Sequence, residues 1–568
     1  MNLRFRSGWL IWLAHSWPLG LAALELVFLA FVVLPGEKHA HSHAFQIAFP
    51  AGAESDVFRE LSRRFCEGER ITCRLVELDY DNLYKRELDE LLGGAQNSAQ
   101  HDTDDVITVD DPWLPRFIAT GNLVPLSIEA SSSGDVGKTP TPSDIDVHRS
   151  RNEFPSILLS IICASSRGMP DTPDPQDIGD CAQVNAVPVL GNVQLLEVNP
   201  RLFSQPPAGQ APCTKKEYCS WEDLINAGGS KSSVGARMVL RGGGRNPYLT
   251  DFMPILKQED PLSLSWKLSV QKPAFTPASI PAFEKFMKIV RQAPESYSSI
   301  SDTDSQALIL NSDAAYAVTW SNTVLRAQQE FLGLSAANEL HFDEIIKTAV
   351  PGGHGELGVW LLAIPKTGSR RELANRFLAW IMRRKEPDDK PEDVPLLFAA
   401  IKQGNPPTVN DAYDQLMSYY ADSGNENGAA GTLSTIKGAL ASGFARPREE
   451  NWDCMRHEIS DALKELAESA EVRTPGTKVV DHALAADTAK QLALFIACIQ
   501  MAQENTVRNS NESGKSRVCD ADGLGEMSQI ALSCRQDKSG TIRELSRRIQ
   551  NDRTYDQWRP WVDTTPAP

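Results

Sequence analysis

The stretch DVITVDDPW (105–113) decides the fold class of this chain. Its centre, 106–109, is short and mostly apolar, which is typical of a strand buried on both faces of a parallel sheet. Asp110, Asp111 and Trp113 follow directly at the carboxyl end of that run. Open α/β sheets bind their ligands at this end of the strands. The stretch therefore predicts a buried central strand whose end carries a ligand site.

The residues before this stretch predict two more strands and two helices. Residues 45–49 and 71–75 alternate between apolar and polar side chains, as half-buried strands do. Apolar residues recur at helical spacing over 54–65 and again over 84–92. Together with 106–109 this gives the order β-α-β-α-β, which predicts an α/β fold with a parallel sheet.

The same periodicities continue along the chain to about residue 500. They predict strands at 186–189, within 308–320 and at 357–364, and helices at 279–293, 371–382, 455–466 and 484–501. A proline and a glycine within 474–476 break the helical pattern and predict a boundary there.

Three tryptophans lie at the edges of predicted strands. They are Trp113, Trp320 and Trp360, and Gly358 stands two residues before the last of them. Indole rings stack on the apolar faces of sugar rings, and carboxylates accept paired hydrogen bonds from neighbouring hydroxyls. This combination predicts a carbohydrate site, although core packing remains the alternative explanation for each tryptophan.

The N-terminal segment indicates export. Arg4 and Arg6 precede an apolar run that is least interrupted over 19–34. That run is about as long as the apolar core of a signal peptide, which is ~7–15 residues, yet shorter than the ~20 residues of a spanning helix. Residues 1–44 are therefore interpreted either as a cleaved signal peptide or as a retained transmembrane helix that anchors the chain to the inner membrane.

The ten cysteines fit an oxidising compartment behind such a signal. Short separations favour the pairs Cys66–Cys73 and Cys213–Cys219, and Cys163–Cys181 is the next closest. The remaining four are expected to pair among themselves; they are Cys454, Cys498, Cys519 and Cys534. Free buried thiols are the alternative.

Composition and motifs exclude several function classes. The net charge of −17 argues against a nucleic-acid partner, because phosphate binding needs a basic surface. The sequence has no hydrolase nucleophile motif, no complete phosphate loop of an NTPase and no metalloprotease motif, so no catalytic residue and no cofactor are assigned. The triplet His39, His41 and His43 is interpreted as a solvated linker rather than as a metal site, and no other metal site is assigned.

Several stretches together resemble the extracellular solute-binding proteins of ABC importers, in the sugar-binding family that includes maltose- and trehalose-binding proteins. Their sequence order is that of the family, and they span about residues 45–470. They are FPAGAE (49–54), DVITVDDPWLPRFIATGNLVPL (105–126), PVLGNVQLLEVNPRLF (188–203), YCSWEDLINAG (218–228), AAYAVTWSNT (314–323), VPGGHGELGVWLLAIPKTG (350–368), ANRFLAWIM (374–382) and ARPREENWDCMRHEISDAL (445–463).

The resemblance implies a two-lobed periplasmic-binding-protein fold with hinge strands over 45–475. Lobe 1 is expected at about 45–187 and 355–395, and lobe 2 at about 188–354 and 396–475. It also implies a non-enzymatic protein of the periplasm, in which a carbohydrate binds in the cleft and the closed form docks on an ABC permease.

Family positions for ligand contact also map onto this chain. The matching residues are Glu54, Asp110, Trp113, Asn192, Trp320, Gly358 and Trp360. The chain departs from the family pattern at Leu190, Glu197 and Val198, where aromatic residues are usual, and at Val409, where arginine is frequent.

Residues 476–568 match no part of the family and are expected to form a mostly helical C-terminal extension that packs on the second lobe. Their presence keeps a second function open, in which a membrane-tethered protein of the same fold senses a ligand and signals to a partner. A third alternative is an exported enzyme that acts on glycans.

Overall fold

The computed structural model describes most of the chain from residue 44 to residue 563. The described residues are 44–52, 54–93, 103–129, 145–163, 183–202, 220–229, 238–241, 243, 248–265, 268–293, 297–333, 345–422, 426–448, 452–469, 478–509, 533–534, 536 and 538–563. The predictions for the N-terminal segment 1–43, for the pair Cys213–Cys219 and for the boundary at 474–476 lie outside these residues.

The N-terminal part has the predicted β-α-β-α-β order. It runs through β1 (Phe45–Pro50), α1 (Ser55–Glu69), β2 (Cys73–Leu78), α2 (Tyr80–Leu91) and β3 (Val106–Asp110). Strand β1 pairs in parallel with both β2 and β3, which confirms the parallel sheet. Every residue of β3 is buried, as its apolar sequence predicts.

The later strands complete the sheet and form a smaller one. They are β4 (Leu126–Glu129), β5 (Ile145–Ser150), β6 (Gln183–Val184), β7 (Val187–Val198), β8 (Met238–Val239), β9 (Tyr316–Trp320), β10 (Ile346–Ala349) and β11 (Leu357–Ala363). The larger sheet has the strand order β2-β1-β3-β11-β7-β9-β8, and β10 also pairs with β7; the smaller has the order β5-β4-β6. Strand β11 is antiparallel to both β3 and β7.

Further helices follow β3 in the described part of the chain, some between the later strands and the rest after β11. They are α3 (Leu114–Ala119), α4 (Ser156–Cys163), α5 (Trp221–Gly229), α6 (Leu249–Glu259), α7 (Ile280–Gln292), α8 (Asp302–Leu310), α9 (Ser321–Gly333), α10 (Arg371–Ile381), α11 (Pro395–Gln403), α12 (Asn410–Asp422), α13 (Gly431–Ser442), α14 (Trp452–Glu468), α15 (Lys478–Asn509), α16 (Lys538–Asn551) and α17 (Arg559–Val562).

Buried side chains form two hydrophobic cores, and β7 belongs to both. The first core holds the apolar side chains of β1, α1 and β3 together with those of α10 to α13. The second holds those of α6, α7, β9 and α14. Residues Val187–Leu195 of β7 contribute to the first core, whereas Leu196 and Val198 contribute to the second. A 12-residue strand thus connects the two halves of the molecule, as hinge strands do in a two-lobed fold. The proposed lobe boundaries remain a prediction, because shared packing does not by itself define which parts move together.

The C-terminal extension is helical and packs on the second core. Buried side chains of α15 and α16 join that core, as do Tyr555, Trp558 and Trp561. The indole nitrogens of Trp558 and Trp561 donate hydrogen bonds of 2.8 Å to the carbonyl oxygens of Val270 and Phe275. The extension is therefore anchored both by apolar contact and by backbone hydrogen bonds, which matches the predicted fold class.

Two disulfides are described in full. Cys66–Cys73 joins the end of α1 to the first residue of β2 and confirms the predicted local pair. Cys498–Cys534 connects α15 to the segment before α16, which confirms that members of the last four cysteines pair with one another. Cys163 is also disulfide-bonded.

One helix in the described part of the chain is long and apolar enough to cross a membrane by length and composition alone. It is the segment Asp481–Ala502 within α15, and half of it is buried inside the protein. Its buried face belongs to the second core, which is the behaviour of a core helix.

Candidate functional site

The end of β3 positions two carboxylates and one indole. After Asp110 the chain turns through a short 3-10 helix, Asp111–Trp113, whose first amide donates 3.1 Å to the Asp110 carboxylate. Pro112 fits this first turn because proline has no backbone N–H and the amides of a first helical turn have no carbonyl partner within the helix. All three acidic and aromatic side chains of the turn point into the protein, because Asp110 and Asp111 are 4% and 0% exposed and Trp113 is 1% exposed. The sequence thus correctly predicts a cluster at this strand end, although none of it is open to solvent.

Strand β11 brings Trp360 to the same place. Trp360 lies opposite Asp110 in the antiparallel pairing of β11 with β3. Its ring meets the ring of Trp113 edge-on with 5.8 Å between centroids, and Tyr80 packs 4.4 Å from Trp113 on another side. Trp360 is 5% exposed. Any ligand that stacks on Trp113 or Trp360 must therefore displace a neighbouring ring.

Trp320 lies in a more open environment. It ends β9 and lies over β11, where a side chain at Gly358 would place its first carbon 3.1 Å from the indole. Gly358 itself pairs with Asn192 of β7. Glycine at 358 thus lets the indole approach the strand closely, and Trp320 keeps part of its surface exposed. The Arg241 guanidinium lies 5.8 Å from the centre of the ring.

Glu54 and Asn192 are tied to the first turn of α9. The side-chain amide of Asn322 donates 3.2 Å to Glu54, which precedes α1. The Ser321 hydroxyl donates 3.4 Å to the side-chain oxygen of Asn192 and accepts a 3.1 Å bond from the amide of Val193. The start of α9 therefore connects one predicted ligand residue of the first core with another on β7.

An arginine that the sequence analysis did not assign occupies the centre of the site. Arg446 donates 2.6 Å to Asp110, donates a second bond to Asp111, and has its Nε 3.7 Å from Glu356. The nearby Arg448 donates 2.7 Å to the carbonyl of Asp111. Both arginines stand in the stretch 445–463 quoted above. Two adjacent buried carboxylates need a compensating positive charge, and this requirement was the signal in the sequence that an arginine or lysine from elsewhere in the chain should lie beside them.

Burial and charge set the protonation of this cluster. Burial raises the pKa of Asp111 to about 6, although the neighbouring Arg446 acts in the opposite direction. Burial also raises the pKa of Glu356 to about 8, again against Arg446. Burial alone would lower the pKa of Arg446, but Asp110, Asp111 and Glu356 raise it well above its ordinary value. Burial therefore favours the protonated forms of Asp111 and Glu356, whereas the surrounding carboxylates keep Arg446 charged.

Chemically, the arrangement is suited to hydrogen bonding and stacking. Across the described ranges, no group of three or more His, Cys, Asp or Glu side chains could hold a metal ion. The seven predicted residues fall into two groups on adjoining strands: a charged and filled group around Asp110, Trp113 and Trp360, and a partly open group around Trp320 and Gly358, with the buried Asn192 beside them. Glu54 connects to the second group through α9.

No model of a protein family matches this chain, and no curated protein sequence matches it. Solved structures do match. A maltose-bound MalE3 from T. maritima is 17% identical with a TM-score of 0.52, over 79% of this chain and 98% of that one. An ABC transporter solute-binding protein from Agrobacterium radiobacter in complex with ribitol is 16% identical with a TM-score of 0.53, over 79% and 98%.

The sugar-binding protein MalE from Xanthomonas citri is similar in the same way. It is 15% identical with a TM-score of 0.53, over 83% of this chain and the whole of the other. At such identities the likeness of these proteins to this chain concerns the fold. The chain therefore has the two-lobed fold of periplasmic solute-binding proteins, with a helical extension at its C-terminal end.

Proposed function

We propose that this chain is the substrate-binding component of an ABC importer, which binds a carbohydrate between its lobes and delivers it to a permease in the inner membrane. One observation carries the proposal. Carboxylates, an amide and tryptophans converge where β3, β11, β7 and β9 lie side by side, at the connection between the two cores. That combination is the one that polyhydroxylated ligands require.

Within this proposal the partly open group receives the ligand first. The exposed part of Trp320 offers a stacking surface, and Gly358 leaves room for a ring to approach. Asn192 and Glu54 would supply an amide and a carboxylate for hydroxyls, once the ligand takes the place of their present hydrogen bonds to the start of α9. Asp110, Trp113 and Trp360 would complete the contacts only after a rearrangement of their present partners.

The ligands of the compared proteins support the same class of substrate. Maltose and ribitol, named for two of them, are both polyhydroxylated and uncharged. A binding role without catalysis is the corresponding proposal for this chain. Residues 1–44 would place it in the periplasm, either free after cleavage or held at the inner membrane by an uncleaved helix.

A thermal-shift screen against uncharged sugars and polyols tests the proposal. A ligand present at 100 times its Kd raises the free energy of unfolding by about 2.7 kcal/mol. At least one member of the panel is expected to raise the melting temperature in a concentration-dependent way. A complete lack of response across mono-, di- and trisaccharides and polyols would reject carbohydrate binding.

The variant Trp320→Ala then locates the site. Loss of a stacking platform is expected to weaken binding by about 1–3 kcal/mol, as at binding hot spots. Trp380→Ala is a matched control, because that indole is also only partly buried and its ring neighbours are Phe65 and Phe377. If calorimetry finds the same ligand affinity for both variants, Trp320 is not part of the ligand site.

A further inference from the structure

Three arginines of one segment reach the same edge of the first core. They are Arg446, Arg448 and Arg456, and we call them the arginine strap. The segment leads into α14, whose apolar side chains Trp452, Met455 and Ile459 are buried in the second core. The strap therefore spans the connection from α13, whose apolar side chains belong to the first core, to α14 of the second. The acidic partners of Arg446 and Arg456 lie at the carboxyl ends of β3 and β2 in the first core.

Each arginine has a partner on that edge. Arg446 binds the carboxylates of Asp110 and Asp111, and Arg448 donates to the backbone carbonyls of Asp111 and Ile161. Arg456, on α14, lies 3.7 Å from the carboxylate of Asp81.

Aromatic contact adds to the last of these interactions. The guanidinium of Arg456 is 5.0 Å from the centre of the Tyr80 ring, and the Tyr80 hydroxyl donates 2.6 Å to Asp110. Contacts between a cation and an aromatic face are favourable, more so when solvent is excluded. The strap thus forms one connected polar network from α14 to the end of β3.

The arginine strap and its neighbours already occupy groups that a bound sugar would contact. Asp110 and Trp113 are proposed ligand residues, yet Asp110 is already bound by Arg446 and Trp113 is covered by Tyr80 and Trp360. Charge-assisted hydrogen bonds are stronger than those that a neutral hydroxyl can offer. A sugar therefore cannot reach Asp110 unless Arg446 leaves it.

We propose that the arginine strap is an intramolecular latch, which holds the second core against the ligand edge of the first and competes with the ligand for Asp110. The competition rests on the proposed carbohydrate function, whereas the latch itself does not. In a protein with this latch, the two cores are held together at the ligand edge even without ligand. The free energy needed to release the arginine strap then lowers the affinity for the ligand.

Hydrogen exchange of the full chain, kept in mild detergent, tests the latch. In Arg446→Gln, amides in the peptides covering 106–113 and 357–360 are expected to exchange at least about tenfold faster, because one charge-assisted hydrogen bond shifts a local opening by that order. Peptides covering 57–65 and 249–256, inside the two cores, should accelerate less than the cleft peptides. Arg63→Gln is the matched control, since that arginine also binds two carboxylates, Glu60 and Glu67, but on the exposed side of α1.

Unchanged exchange at both cleft peptides would overturn the latch. Equal acceleration of the cleft peptides and of the rest of the first core would overturn it as well, because that outcome describes general destabilisation alone. If Arg446→Gln does not fold, Arg456→Met replaces it, since its partner Asp81 is exposed and no buried charge is left unpaired. Faster exchange over 80–84 and 452–459 is then expected, and wild-type rates there would count against the latch.

Calorimetry with the sugar panel separates the two proposals. Arg446→Gln is expected to bind the best sugar at least about tenfold more tightly than the wild type, because the competing bond has been removed. Weaker binding would make Arg446 a ligand contact and would overturn the competition. If the cleft peptides open but no sugar binds either protein, the latch stands and the carbohydrate function fails.

Discussion

Strands β3 and β9 are alike in sequence, and their ends differ in structure. Both are buried runs that finish near a tryptophan, yet Trp113 is enclosed by rings and Trp320 keeps part of its surface exposed. The difference comes from β11, which presents Trp360 beside Trp113 but Gly358 beneath Trp320. The size of the β11 residue that faces an indole therefore decides whether the ring is enclosed or keeps an exposed surface.

Replacing each of the two tryptophans by alanine should give the largest difference in stability between the two strand ends. Trp113→Ala removes a fully buried ring and is expected to lower the free energy of unfolding by about 4 kcal/mol. Trp320→Ala should cost clearly less, because part of that ring is already in water. Urea unfolding of both variants measures the difference, and equal losses would mean that the two sites are not distinct.

Removal of the central cation should have the next largest effect. Arg446→Met leaves Asp110 and Asp111 buried without their partner, which should cost about 3 kcal/mol of stability, as for other broken buried pairs. Arg63→Met also removes an arginine from two carboxylates, but at the surface, where solvent screens the pair, so it should cost far less stability. Similar unfolding midpoints for the two variants would show that the charged group contributes no more than a surface pair.

The charged group should also make stability depend on pH. The pKa of Glu356 is raised from 4.5 in the unfolded chain to about 8 in the folded one, so the folded state binds the proton more tightly. Its favourable contribution is complete below pH 4.5 and is lost as the pH rises to 8, with a slope of at most about 1.4 kcal/mol per pH unit.

The variant Glu356→Gln should remove that part of the slope, because glutamine does not titrate. Chemical unfolding at pH 5, 6.5 and 8 compares it with the wild type. Burial raises the pKa of Asp111 as well, to about 6, so some decrease between pH 4 and 6 should persist in the variant. Parallel curves for the two proteins over pH 5–8 would contradict the assigned protonation of Glu356.

The smallest expected effect concerns Gly358, which lies against the indole of Trp320. In Gly358→Ala the new methyl group would lie 3.1 Å from the indole, so the ring must shift by a few tenths of an ångström. We expect a loss of about 1 kcal/mol in stability from this overpacking. Gly438→Ala, in α13 where no atom lies within 4 Å of the added carbon, should instead be neutral or stabilising. A neutral Gly358→Ala would show that the close approach of Trp320 does not need glycine.

Local periodicity predicted the elements that depend on near neighbours. The helix expected at 279–293 is Ile280–Gln292, and the strand expected at 357–364 is Leu357–Ala363. Where the pattern is interrupted, the prediction was less accurate. Strand β7 continues to Val198 although only 186–189 was expected, because Gly191, Asn192 and Gln194 conceal a strand that is buried along its whole length.

The candidate site was predictable only in part. The strand ends could be inferred from the sequence, because each is a local feature. Arg446 could not, since its hydrogen bond to Asp110 joins residues 336 positions apart and no spacing rule relates them. The same holds for Cys498 and Cys534, where the choice among four cysteines required the fold of the extension.

The 12-residue strand shared by both cores has a mechanical consequence. Lobes that were joined by a flexible loop could rotate freely about a point. Here each end of one strand is fixed in a different core, and the pairing of β7 with β11 changes register between Trp360 and Leu361. Any movement of one core against the other would therefore have to bend or twist β7 along its length.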